Sequence, residues 1–395
     1  MTLTDFFVTL TWVSFLFILF FYSSYFIVLK YFNKKAISNK KQLKFSYPTV
    51  SLLIPVYNEE KIITKKIQNI EELDYPTEKI DVIFIDGKSI DKTQEIIENI
   101  SKKSKKSITI IKQDKRDGYT RAVIKGIMKS KGEIIMATDG ASFHYSDALT
   151  HLVKHFTNPK IGAVTGKEVV KGNAYNLGPQ MEKSYRGFYD FMRKAETEMD
   201  STPDAKGEIL AVRKKICLAL IERLMLSPNA SFDSCVPYQA NLMGYQTIFD
   251  EDAKYYEYAP SSFIDLTKVQ IRRATVLIGA MFLFRNLFLN KKSGRFGLVI
   301  LPIHFVMYCL IPSIFFIGVF SFFFSTFFAP ISVGIFWIAI VILLVANKAT
   351  RLFLISFVQT QYALVIGLFR LVRRKDSLFI KSIPSTRDST LFNAC

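Results

Sequence analysis

The chain of 395 residues is half hydrophobic and 22% charged, and its 52 Lys and Arg against 34 Asp and Glu give a net charge of +18. That length allows two or three domains, and four scattered cysteines without short paired spacings indicate neither a disulfide framework nor a zinc site. The lysines lie beside apolar runs and on stretches such as residues 98–106, which suits an anionic membrane surface or phosphorylated substrates and excludes nucleic acid as the partner.

Phe6 to Leu29 carries no charge and is long enough to cross a bilayer as one helix. No small-residue cleavage site follows, so a retained span is expected. Lys30, Lys34, Lys35, Lys40 and Lys41 come next, and by the positive-inside rule they place the following region in the cytoplasm.

Residues 49–170 alternate strand and helix signals. The strands are "TVSLLIPVYNEE", "IDVIFID", "SITIIKQ" and "EIIMATD"; amphipathic helices "EEKIITKKIQNIEEL", "KTQEIIENI" and "TRAVIKGIMKS" separate them. Such spacing predicts a parallel, doubly wound sheet. Three strands run directly into polar side chains: Asn58 and Glu59, Asp86, and Asp139. Ligands of open α/β sheets bind beyond the carboxyl ends of the strands. The three are therefore expected to gather along one edge as a negative pocket, suited to a hard divalent cation and so to a nucleotide diphosphate.

Further along, "QMEKSYRGFYDFMRKAETEMDS" predicts an amphipathic helix whose aromatics pack in the core, and Gly207 to Arg213 a strand. Lys115, Arg116 and Arg121 are read as surface charge. "FIDLTKVQIRRATVLIGAMFLFRNLFL" predicts an amphipathic helix leading to the membrane. Phe296 to Asn347 has no charged residue, room for two spans with a break near Ser325 to Pro330. A third apolar run, Leu352 to Phe369, is followed by Arg370, Arg373, Arg374 and Lys375, so it is read as interfacial or re-entrant rather than as a fourth crossing.

Six segments, "VSLLIPVYNEE", "IDGKSIDKT", "GEIIMATDGAS", "GAVTGK", "GEILAVRK" and "GYQTIFDEDAKYYEYAP", stand in the order found in family 2 glycosyltransferases. The resemblance covers about residues 49–275 and, more loosely, the flanking spans. It implies a membrane-attached inverting enzyme with a Rossmann-like GT-A fold. Pro55, Val56, Tyr57, Asn58 and Glu59 resemble the loop around the nucleotide base and ribose, and Asp86 the aspartate that binds base or ribose. Asp139 resembles the first aspartate of the Asp-x-Asp motif, which binds the metal (Mg²⁺ or Mn²⁺) and the donor diphosphate; the third position is Ala141. Within "SFDSCVPYQANLMGY", Asp233 falls where the family has its catalytic base, an inverting transfer needing a carboxylate to take the acceptor proton. A helix N-cap is the plain alternative for Asp233. Gln270 and Arg273 match the Gln-x-x-Arg-Trp motif, where a guanidinium can hold diphosphate charge, with Arg272 beside it. Ala274 replaces the tryptophan, which disfavours processive addition.

The resemblance thus implies transfer of a sugar from a nucleotide donor, a UDP-sugar, to a lipid-linked or saccharide acceptor at the cytoplasmic face of the cell membrane, with membrane lipids as further partners. The expected division is a span at 1–30, a mixed, mostly parallel GT-A domain at 31–262, interfacial helices at 263–295, two spans at 296–350, and a third membrane helix or re-entrant segment with a basic tail at 351–395. A degenerate nucleotide-sugar-binding scaffold is the competing reading, supported by Ala141 and Ala274. A transporter is disfavoured because no Asp, Glu, Lys or Arg lies within the apolar cores.

Overall fold

The run VSLLIPV, buried on both faces, becomes the strand β1 (Val50–Val56) at the centre of a parallel group. The computed structural model describes residues 2–35, 46–172, 176–227, 230–260, 262–328, 335 and 346–373. After β1 come β2 (Ile80–Asp86), β3 (Ser107–Lys112), β4 (Ile134–Ala137), β5 (Phe143–His144), β6 (Ile161–Lys171), β7 (Leu210–Arg213) and β8 (Gln246–Tyr258). They form one eight-stranded sheet in the order β3-β2-β1-β4-β7-β6-β8-β5. The first four strands of that order are mutually parallel, β7 runs against both of its neighbours, and β6 pairs parallel with β8. The chain leaves β1 for β2 on one side and returns through β4 on the other. That reversal opens a crevice at the carboxyl ends of β1 and β4.

The strand period of two sorts side chains into two cores. Leu52, Ile54, Val82, Phe84, Ile134 and Met136 meet α2 (Ile63–Glu71), α3 (Thr93–Ser101) and α5 (Ala148–Val153). Leu53, Ile83, Ile135 and Ala137 face α4 (Tyr119–Lys129), α7 (Lys214–Leu226) and α8 (Phe232–Leu242). The second core runs on without a break to α6 (Leu177–Met199), α9 (Phe263–Leu283) and the apolar helices.

Among the described residues three helices are long and apolar enough to cross a membrane: α1 within Leu3–Phe32, α10 (Phe296–Phe327) and α11 (Lys348–Val372). The 25 residues of α11 are thus a full-length candidate span, where the sequence suggested an interfacial or re-entrant piece. The break near Ser325 to Pro330 and the second span after it, with the tail beyond residue 373, fall largely outside the described residues. Small residues let α1 and α10 approach closely: a Cβ added to Gly318 would meet Ser14 at 2.9 Å.

One carboxylate rivets the sheet domain to these helices. Glu196 of α6 is fully buried and accepts from Tyr25 Oη of α1 (2.5 Å), His304 Nε2 of α10 (2.6 Å) and Thr202 Oγ1 (2.9 Å). Next to it, Asp200 accepts the N–H of Phe296 (2.9 Å), satisfying a donor at the start of α10. Glu196→Leu is expected to leave three buried donors without an acceptor and to cost about 3 kcal/mol or more. Thermal unfolding in detergent would read this as a midpoint lowered by several degrees. An unchanged midpoint would show that the helices hold the domain by apolar packing alone.

Candidate active site

Loop chemistry places the first group of residues. After β1, Asn58 takes a positive φ of 55°, which bends the chain back on the turn following β2. Its N–H donates to Ser89 Oγ (2.9 Å) and its Oδ1 accepts from Ile90 N (3.0 Å). Asp86 is fully buried and accepts from Ser89 N (3.0 Å), Ser89 Oγ (2.5 Å) and Gln94 Nε2. Glu59, 3% exposed, donates its N–H to Thr93 Oγ1 (2.7 Å), and its side chain backs Gly140 in the turn after β4. Pro55 is the one half-buried residue of β1, and Tyr57 carries the Arg116 guanidinium 4.1 Å over its ring.

The negative pocket is therefore not built from the three strand ends that the sequence suggested. Asp86 is turned into its own loop, where Ser89 and Gln94 donate to its carboxylate, and Glu59 is tied by its N–H to Thr93 with its side chain behind Gly140. Asp139 instead shares a cavity of about 540 Å³ with the carboxylates of Asp117, Asp204, Glu208 and Asp233, of which Glu208 and Asp233 act on it most directly. The sheet explains why. β4 and β7 run antiparallel with Ala137 opposite Leu210, so continuing the register two residues beyond Ala137 and two before Leu210 brings Asp139 and Glu208 opposite one another on the same face. Asp233 arrives from the first turn of α8 and rests against Gly207, where an added Cβ would lie 3.1 Å from its carboxylate.

Burial, and then Glu208, push the Asp139 carboxyl up to about 6 against the pull of Arg272. Asp233 is also raised, chiefly by burial, with the Ser231 hydroxyl pulling it back and Glu208 adding to the rise. The cap of α8 is Ser231, paired with Ser234 in a capping box, so the N-cap role open to Asp233 in the sequence belongs to its neighbour.

Cations ring the same cavity. Lys115, Arg116 and Arg121 are exposed, as expected of surface charge, and also line the cavity beside Tyr119. Arg273 lies 3.6 Å from Glu182 and 3.5 Å from Glu208, whereas Arg272 forms no ion pair among the described residues and faces Asp139 electrostatically. Behind Arg273, Arg186 and Lys206 hold the Glu168 carboxyl down to about 2 although burial would raise it. Gln270 donates to Tyr185 Oη (3.4 Å), and its buried Oε1 has no partner among the described residues. Tyr185 and Tyr189 of α6 line the cavity rather than only packing in the core. The far wall is membrane-type: Tyr308 of α10, and Thr360, Ala363 and Leu364 of α11.

Glu208 is the residue that sequence reasoning missed. Its signal was present in "GEILAVRK", a carboxylate two residues before an antiparallel strand, but the partner strand is not legible in the chain. Among the described residues, the one trio of ligand atoms drawn together at metal distance is elsewhere, at His151, Asp250 and Asp252. There the Lys154 ammonium already contacts His151 Nδ1 (2.7 Å) and Asp250 (3.1 Å), filling the place of a cation.

Residues 51–219 match the family described as Glycosyl transferase family 2. Poly-beta-1,6-N-acetyl-D-glucosamine synthase of Staphylococcus aureus (strain COL) is 26% identical over 272 residues, which are 68% of this chain and 63% of that protein. Beta-monoglucosyldiacylglycerol synthase of Nostoc sp. is 30% identical over 160 residues, 40% of this chain and 34% of the relative. The chain thus spans less than two thirds of the length of these relatives. A mannosyltransferase from Pyrobaculum calidifontis, solved in complex with GDP-Man and Mn²⁺, superposes with a TM-score of 0.74 at 21% identity, over 93% of this chain and 99% of that one. The mixed sheet and the helices on its two faces agree with these findings: residues 51–219 are the part of the chain that matches family 2 glycosyltransferases, and the fold is of the GT-A kind.

Proposed function

We propose that this protein transfers a sugar from a nucleotide-sugar donor, a UDP-sugar, to a lipid-linked or saccharide acceptor with inversion at the anomeric carbon. The observation that carries this is the convergence of Asp139, Glu208 and Asp233 with Arg272 in one cavity whose far wall is made of apolar helices. Tyr57, with Arg116 over its ring, and the turn shaped by Asn58, Glu59, Asp86 and Pro55 receive the nucleoside. Lys115, Arg121, Arg272 and Gln270 with Arg273 surround the diphosphate and sugar.

The donor set fits a hard divalent cation, because Asp139 and Glu208 oppose one another as like charges and burial and then Glu208 raise the Asp139 carboxyl. Mg²⁺ or Mn²⁺ held by these two residues would neutralise charge on the leaving diphosphate. Asp233 then takes the proton of the acceptor hydroxyl as its oxygen bonds to the anomeric carbon and the bond to the diphosphate oxygen breaks. The nucleoside diphosphate leaves with the electron pair, and the proton stays on Asp233. A hydrolysis and transfer screen of the purified protein against nucleotide sugars with Mg²⁺ and Mn²⁺ tests the reading. Failure of every donor, in binding as well as turnover, would overturn it, and binding without turnover would favour a scaffold.

We infer that the residues between α1 and α10 are cytoplasmic; the lysines after α1 and Arg285, Lys291, Lys292 and Arg295 before α10 support this by the positive-inside rule. The division at residues 1–30, 31–262, 263–295, 296–350 and 351–395 is kept, with α11 as a membrane helix beside α9. A cysteine introduced at the exposed Lys102 is expected to resist an impermeant thiol reagent on intact cells and to react after permeabilisation. Labelling of intact cells would reverse the topology.

A further inference from the structure

The apolar stripe of α2, Ile63, Ile67 and Ile70, includes one residue of the wrong kind: Lys66, with none of its surface exposed. A buried ammonium is costly unless it is well bonded. Among the described residues it forms no ion pair. Its Nζ donates to Thr138 Oγ1 (3.2 Å) and to the Ser142 carbonyl (2.5 Å), the two ends of the turn that presents Asp139.

We propose that Lys66 is a positioning residue of the donor site, its ammonium clasping the Thr138–Ser142 turn from behind and so fixing Asp139 toward the metal and diphosphate. The inference rests on the donor reading above. The turn has little else to hold its shape. Gly140 has no side chain, Ala141 packs toward Ile62, Phe143 and Tyr258, and the hydrogen bond across the turn, Ser142 N to the Asp139 carbonyl, is long at 3.4 Å.

The clasp also reaches the second carboxylate. His144 Nε2 lies 3.3 Å from Thr138 Oγ1 and 3.0 Å from the Glu208 carbonyl, and Asn69 of α2 brackets the His144 backbone at 2.8 and 2.7 Å. Thus α2 grips both sides of the proposed cation site while its own start continues the Tyr57–Glu59 loop. The Lys66 charge also acts on Asp139 electrostatically across the turn that it clasps. His144 does not supply that charge, since burial and Lys66 hold its imidazole neutral, down to about 3.

The test is equilibrium binding of UDP and GDP to the full chain in detergent, each with Mn²⁺ and with EDTA, for the parent and for Lys66→Met. Outer partners of a metal site typically cost about 10–100-fold when removed. Lys66→Met is expected to lose about tenfold or more of the Mn²⁺-dependent gain in affinity while metal-free affinity stays within about twofold, as an unmoved nucleoside subsite requires. Lys66→Gln, which keeps hydrogen-bond donors and removes the charge, serves where the methionine variant does not fold, and the same loss is expected. A retained Mn²⁺ gain, or an equal fall in metal-free affinity, would overturn the proposal, the second because it marks collapse of the whole pocket. A parent that binds neither nucleotide sinks the donor reading itself, and the inference with it.

Discussion

Asp233→Asn is expected to reduce sugar transfer by about a hundredfold to ten-thousandfold, the usual span of general base catalysis, while donor affinity barely moves. The substitution preserves shape: Ser231 and Ser234 form the capping box, and the asparagine amide oxygen can still accept from Ser231 and the backbone N–H groups that the carboxylate engages. Asparagine therefore removes a proton acceptor and little else. Gly207 gives the same reading from the other side: any side chain there would press on Asp233 at 3.1 Å, so the carboxylate's seat is reserved by a backbone that has no Cβ. A transfer rate within a few-fold of the parent would overturn the assignment.

The electrostatics of the cavity give that base a pH signature. Burial, and Glu208 in addition, raise the Asp233 carboxyl above the ordinary aspartate range. A base works only when deprotonated, so transfer is expected to rise with pH through this raised value, and the acid limb should lie above that of a solvated aspartate. Folding stability runs the opposite way. For a carboxyl raised on folding, the contribution to stability is full below the unfolded value and lost as pH rises through the folded one; for Asp139 the window is 3.8 to about 6.

The parallel half of the sheet was legible because its strands are apolar runs cut by carboxylates and amides, a local pattern. All four strands and the three helices between them formed where the periodicity put them. Asp139 from the end of β4, Asp233 from the first turn of α8, and Gln270 and Arg273 from α9 meet at one cavity. What escaped was long-range. The pairing of Asp139 with Glu208 depends on β7 running antiparallel to β4 across some 70 residues of intervening chain, and nothing near Glu208 announces it. Lys115, Arg116 and Arg121 are solvated as the sequence suggested, and that they also border the crevice depends on where the start of α4 packs. Lys66 was visible as a charge inside a hydrophobic stripe, but its neighbour Lys65 hides it, and only packing decides which of the two is buried.

Asp139→Ala and Glu208→Gln are each expected to lose about tenfold or more of metal-dependent donor affinity, since a site with two carboxylates has little redundancy. Calorimetric titration of a nucleoside diphosphate with and without Mn²⁺ measures this. The two variants should also behave alike in the absence of metal, and in a direction opposite to ordinary damage. Asp139 and Glu208 repel across the sheet, and removing either relieves the other, so metal-free thermal midpoints should hold or rise near neutral pH while binding falls. Loss of the Glu208 charge still leaves Arg273 its contact with Glu182, so its seat persists. Ala141→Asp should rescue neither variant, although it restores the family's second motif carboxylate, because position 141 packs toward Ile62, Phe143 and Tyr258 rather than into the cavity. Rescue by Ala141→Asp, or unchanged Mn²⁺ dependence in Glu208→Gln, would return the cation to the motif turn alone and leave Glu208 as no more than the partner of Arg273.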